Sequence, residues 1–165
     1  MLFLTHTFSI FCNLLALIAA CCLQAVPIVT CGGAAGRIDP TKVVCDDLTR
    51  VADDRLLFAC RKKLRDQYKL FAKGPSNAKE IRKFSPRKWN INAVFSTELQ
   101  KSVPVENEIS SFRKCDGNLG TACFLTGTYG FVAASKVVTM IAQDNLKRPR
   151  ILPSATFHRN VNTLN

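Results

Sequence analysis

The stretch from Arg37 to Val51, RIDPTKVVCDDLTRV, decides the fold, because it reads as the opening of a helix. Asp39 is a good N-cap, since its carboxylate can accept a free N–H of the first turn, and Pro40 suits the first helical position. Val44, Leu48 and Val51 then mark an apolar stripe, followed by a second stripe of Leu57, Cys60, Leu64, Tyr68 and Phe71. At about 100° per residue, Leu57 sits about 220° around the axis from Val44. One straight helix would bury opposite faces at its two ends. A break at Asp53-Asp54, where either aspartate can cap a new helix, reconciles the phases, and Gly74-Pro75 stops the second helix.

This reading makes the chain mainly α, a small α-rich secreted domain. The segment AVFSTELQKSVPVENEISSF has room for one or two short strands, and residues 108–126 for a short disulfide-closed hairpin. After Cys123 the chain begins strand-like and turns helical, with Ala134, Val137, Val138 and Ile141 on one face.

The N-terminus points to secretion. The run Phe8 to Ala20 is apolar and uncharged, shorter than the roughly twenty residues of a membrane span, and Ala25 offers a cleavage site. The expected layout is a signal peptide over residues 1–25, a flexible arm over 26–38, one basic domain over 39–146 and a poorly ordered tail over 147–165. A signal anchor is the rival reading.

Secretion would make disulfides of the cysteines. Of the eight, Cys31, Cys45, Cys60, Cys115 and Cys123 survive cleavage at Ala25. The loop CDGNLGTACF, Cys115 to Phe124, carries turn formers at Asp116-Gly117-Asn118, so Cys115–Cys123 is one expected bridge. Cys45–Cys60 is the other. Those two would lie about 22 Å apart along a continuous helix but approach if it folds back. Cys31 is left as a free or intermolecular thiol, which raises a disulfide-linked homodimer.

The formal net charge of +11 is unevenly spread. Between Arg61 and Lys88 eleven basic residues face two acidic ones, Asp66 and Glu80, so this window holds nine of the eleven net charges. The anion-binding candidates are Arg61, Lys62, Lys63, Arg65, Lys69 and Lys73 on the helix, with Arg82, Lys83, Arg87 and Lys88 beyond it. A secreted protein this basic is drawn to anionic partners: a sulfated glycosaminoglycan, an acidic membrane surface or an acidic receptor. Nucleic acid is not expected as a partner.

Enzyme chemistry finds little support. The chain has two histidines, His6 in the leader and His158 in the tail, and no Cys-x-x-Cys pair for a metal. The aspartate pairs Asp46-Asp47 and Asp53-Asp54 fit helix starts better than acid–base catalysis. No cofactor, metal or catalytic residue is expected. The function anticipated is non-catalytic binding, as an extracellular ligand, toxin or defence factor, with heparin among its targets. The alternatives are a secreted carboxylate enzyme, an enzyme inhibitor or a matrix component.

Overall fold

A computed structural model describes residues 4–72, 87–99 and 120–153, with side chains from residue 11. The expected mainly α core is replaced by a sheet between helices. Helix α1 spans Leu4–Leu23, strand β1 Val29–Cys31, strand β2 Val43–Asp47, helix α2 Arg55–Asp66, strand β3 Asn92–Ser96 and helix α3 Cys123–Ala142. The sheet order is β1-β3-β2. Strand β1 runs parallel to β3 and β2 antiparallel to it, with Cys31 opposite Val94 and Cys45 opposite the same residue from the other side.

The mainly α expectation fails first at Arg37–Val51. Asp39 does cap, accepting the Thr41 N–H at 3.0 Å, but the turn it opens is a 3-10 turn of three residues, Pro40–Lys42. The chain then extends. Val43 and Val44 are β-branched, and β3 supplies a matching partner rich in Val and Phe. Leu48 and Val51, read as later points of a helical stripe, open and cap a second 3-10 turn, Leu48–Arg50. Three apolar residues at helical spacing are matched equally well by a strand followed by a tight turn.

Alternation along the strands sorts their side chains between two faces. Val29, Cys31, Val43, Cys45 and Val94 pack with Leu125 and Tyr129 of α3. Val44, Ala93 and Phe95 point the other way, into a core with α1 and α2. Strand β3 lies in the middle, and Ala93, Val94 and Ser96 are wholly buried. The result is a helix–sheet–helix sandwich.

Helix α1 belongs to that sandwich. Leu15, Ile18, Ala19 and Cys22 bury beside Leu57, Cys60 and Leu64 of α2. The apolar run expected as a signal peptide therefore carries a core-facing stripe of its own. Residues 26–38, expected as an arm, hold β1 with Thr30 buried. The start of the expected tail is tied down: the Arg150 N–H donates to the Trp89 carbonyl at 2.9 Å and the Leu152 N–H to the Leu70 carbonyl at 2.8 Å.

Helix α3 is long and apolar enough to cross a membrane by length and composition alone. It rests on the sheet through Leu125, Tyr129 and Met140 and leaves Phe131 and Val138 exposed.

Candidate functional site

The predicted break at Asp53-Asp54 is real, and it builds the most tightly organised part of the molecule. Asp53 takes a left-handed backbone, φ 56°, which aspartate tolerates. Asp54 then caps α2, its Oδ1 accepting the Leu57 N–H at 2.9 Å. Its other oxygen, Oδ2, accepts the Gly33 N–H at 2.9 Å and stands 3.5 Å from Arg37 Nη1. This carboxylate is 3% exposed and the arginine 4%, so the pair is sealed from water.

Arg37 is fully engaged. Its Nε donates to the Glu98 carbonyl at 3.0 Å, and its two terminal nitrogens donate to the carbonyls of Gly33 and Asp53. The Glu98 carboxylate turns back on the same loop, Oε2 accepting from the Asp39 N–H at 2.8 Å and the Ile38 N–H at 2.9 Å. Those two bonds hold its pKa below the ordinary carboxylate value. The Tyr129 hydroxyl of α3 donates to the Gly33 carbonyl at 3.3 Å. Side chains from three other segments, Asp54, Glu98 and Tyr129, thus clamp the loop 32–39 together with its own Arg37.

The loop must be glycine at its start. A Cβ on Gly32 would stand 2.2 Å from Asp54 Oδ2. A glycine-rich turn is also a common phosphate cradle. Here, however, the Gly33 N–H and the Leu57 N–H of the first turn of α2 are both taken by Asp54, so the chain's own carboxylate stands where an anion would approach. Sequence reading missed Arg37, Glu98, Gly32 and Tyr129. The usable signal was the Gly32-Gly33 doublet, which marks a close approach of backbone to something bulky.

The basic window divides in the structure. Arg61 does not face solvent as an anion site: Nη1 donates to the carbonyls of Thr49 and Val51, each at 3.1 Å, and of Leu48 at 3.3 Å. Its guanidinium also lies 5.4 Å from the Phe58 ring centre, and burial lowers its pKa. Lys62, Lys63 and Lys69 are exposed and Arg65 half-buried, and Arg87 and Lys88 are exposed just before β3. Phe71 stacks on Trp89 with ring centres 3.8 Å apart, which joins the segment after α2 to the one before β3. Lys73, Arg82 and Lys83 lie outside the described residues.

The disulfide expectations fare differently. Cys45 on β2 and Cys60 on α2 are both free, because they sit on opposite sides of the sheet, Cys45 facing α3 and Cys60 in the α1–α2 core. Cys31 is also free and half-buried against α3, and Cys123 is free and exposed. Cys115 and most of the 108–126 hairpin lie outside the described residues. Among the described residues no cluster of three His, Cys, Asp or Glu side chains could hold a metal.

No family model matches the chain. Two curated proteins do. Over 125 residues the chain is 34% identical to the tRNA threonylcarbamoyladenosine dehydratase of Haemophilus influenzae, covering 74% of this chain and 44% of that protein. Over 129 residues it is 31% identical to the Escherichia coli protein of the same name, covering 73% and 44%. Among solved structures, the E. coli tRNA N6-threonylcarbamoyladenosine dehydratase in complex with ATP superposes with a TM-score of 0.57 at 31% identity, over 79% of this chain and 44% of that one. The same enzyme in complex with AMP gives 0.56 at 32% identity, again over 79% and 44%. The chain spans less than half the length of the curated relatives it matches.

These likenesses correct the functional expectations. A fold and sequence shared with tRNA-modifying enzymes overturn the secreted ligand, toxin or heparin-binding factor, its release after cleavage near Ala25, and its extracellular glycan, membrane or receptor partner. The exclusions of enzyme activity and of nucleic acid fall on the same ground. Composition does not separate the two, because a basic surface serves a sulfated sugar and a nucleic-acid backbone alike.

Proposed function

We propose that the chain forms the tRNA-contacting part of a tRNA-modifying dehydratase. The observation that carries this reading is identity of 34% and 31% to two tRNA threonylcarbamoyladenosine dehydratases over about three quarters of the chain. The basic window supports it, since Lys62, Lys63 and Lys69 are exposed on or beside one short helix. Such side chains neutralise backbone phosphate and release counterions, giving affinity that falls with salt. Lys73, Arg82, Lys83 and Arg87 extend the charge in sequence on either side of the connector.

Two of the solved relatives hold ATP or AMP. In this chain the glycine loop favours a positioning role over nucleotide binding, because Asp54 already satisfies the Gly33 and Leu57 N–H groups. The buried Arg37–Asp54 pair and Glu98 hold that loop rigid between α2 and the sheet. Nucleotide chemistry then belongs to a part of the relatives' length that this chain does not span.

The test is binding of unmodified tRNA to the full chain, followed by fluorescence anisotropy across a salt series. The expected result is saturable binding with a linear fall of log affinity against log salt. Binding no tighter than that of a lysozyme control of similar charge overturns the proposal.

A further inference from the structure

At the end of the sheet where β2 finishes and β3 starts lies a cavity of about 170 Å³ that none of the contacts above uses. Three lysines reach it from three separate segments: Lys88 before β3, Lys136 on α3 and Lys147 beyond α3. Asn90, Asn92 and Asn145 line it between them. Lys88, read in sequence as part of one charge run with α2, is here grouped by the fold with two lysines far along the chain.

None of the three lysines forms an ion pair among the described residues, where the only ion pairs are Arg37–Asp54, Lys42–Asp39 and Arg50–Asp46. Asp46 and Asp47 also border the cavity, but both are committed elsewhere. Asp47 Oδ1 accepts from Thr49 N, Thr49 Oγ1 and Trp89 N, and its Oδ2 accepts the Asn90 N–H at 2.7 Å. Asp46 accepts the Asp47 N–H at 2.7 Å and lies 3.5 Å from Arg50 Nη1. The lining sets three lysines against two aspartates, a formal balance of +1. Because the aspartates already accept hydrogen bonds from the chain, the groups left to meet a ligand are the three ammonium donors.

Size and donor type narrow the ligand. The cavity exceeds the roughly 30 Å³ share of one water and falls short of the roughly 300 Å³ at which drug-sized pockets begin. It therefore admits one small group. Planar carboxylates are gripped best by the arginine fork, whereas lysines act as point charges suited to the spread oxygens of phosphate.

We infer that this cavity is a phosphate-binding subsite, held by Lys88, Lys136 and Lys147 and trimmed by the asparagine amides. It deepens the tRNA reading, on which its biological source rests, by assigning it a single seated phosphate apart from the α2 face. The phosphate can belong to a nucleic-acid backbone or to a free nucleotide, and the chemistry of recognition is the same.

Cys45 stands in the cavity wall and gives a local reporter. The full chain is treated with N-ethylmaleimide, alone or with inorganic phosphate, AMP or unmodified tRNA, and labelling is followed peptide by peptide. The expected result is that at least one probe slows Cys45 labelling several-fold while labelling of exposed Cys123 is unchanged. Lys136→Met and Lys147→Gln each abolish that protection, and Lys62→Ala/Lys63→Ala leaves protection by phosphate intact. Protection by AMP assigns a free nucleotide, and protection by tRNA without AMP assigns the nucleic-acid backbone. Protection by phosphate in a chain that fails to bind tRNA keeps the subsite and removes the tRNA proposal. No protection by any of the three, or equal protection in both lysine variants, overturns the inference.

Discussion

Gly33 donates its backbone N–H to Asp54 Oδ2 at 2.9 Å, across 21 residues of chain. The same carboxylate caps α2 and faces Arg37, so one side chain joins the loop after β1, the start of a helix and a buried guanidinium. Breaking one partner of a buried pair costs about 3–5 kcal/mol, because the other charge is left uncompensated. Asp54→Ala is expected to lose stability of that order. Gly32→Ala drives a methyl against Asp54 Oδ2 and should cost about 1–3 kcal/mol. Urea midpoints compared with Gly33→Ala, whose added Cβ meets nothing within 4 Å, measure the difference. Equal midpoints for the two glycine variants would remove the steric account.

Glu98 makes the clamp sensitive to acid. Its pKa lies below the ordinary value because the Asp39 and Ile38 N–H groups favour the charged form. The Thr41 hydroxyl and N–H lower Asp39 in the same way. A depressed folded pKa gives stability that is whole above the ordinary carboxylate value of about 4.3 and is lost as pH falls through the folded pKa. The wild-type urea midpoint should therefore fall below about pH 4.3, and Glu98→Gln, already without the charge, should show a shallower decline. Parallel declines in the two proteins would assign the acid sensitivity elsewhere.

Much of the helix α2 region was legible from spacing alone. Leu57, Cys60 and Leu64 are its wholly buried face, and Asp54 is its cap. A strand at the start of AVFSTELQ was legible and is β3, but its pairing with β1 and β2 was not, for a physical reason. Strands β1, β2 and β3 are three to five residues each and come from distant parts of the chain, and no local period announces a pairing between Cys31 and Val94. Helix α1 was misread because a core-facing helix and a signal h-region are both uncharged and apolar. What separates them is a partner face on α2, which lies in tertiary structure. In the clamp, Arg37 and Glu98 are separated by 61 residues and have no motif between them.

The thiols distinguish this fold from a disulfide-held one. Burial pushes the Cys60 thiol up to about 11 and the Cys22 thiol up to about 12, Cys21 adding to the latter. The thiolate is the reactive form, so both should resist labelling at pH 8 until the chain unfolds. Exposed Cys123 should label first. Peptide mapping under native and denaturing conditions checks the order. A Cys45–Cys60 bridge recovered from protein purified without reductant would contradict the sheet that separates them.

Arg61 and its neighbours Lys62 and Lys63 are adjacent in sequence and opposite in role. Arg61 closes the turn after β2 by three bonds to carbonyls, whereas the two lysines are exposed. Arg61→Ala strands those carbonyls and removes the guanidinium from over the Phe58 ring, so a stability loss of about 1–3 kcal/mol is expected. Lys62→Ala/Lys63→Ala should leave the urea midpoint within about 0.5 kcal/mol of wild type. That double variant should instead weaken tRNA binding and lower the magnitude of the salt slope by about 1–2, since each phosphate left without its lysine retains its condensed counterion. A double variant that keeps the wild-type slope would move the tRNA interface off α2 and onto Lys88, Lys136 and Lys147.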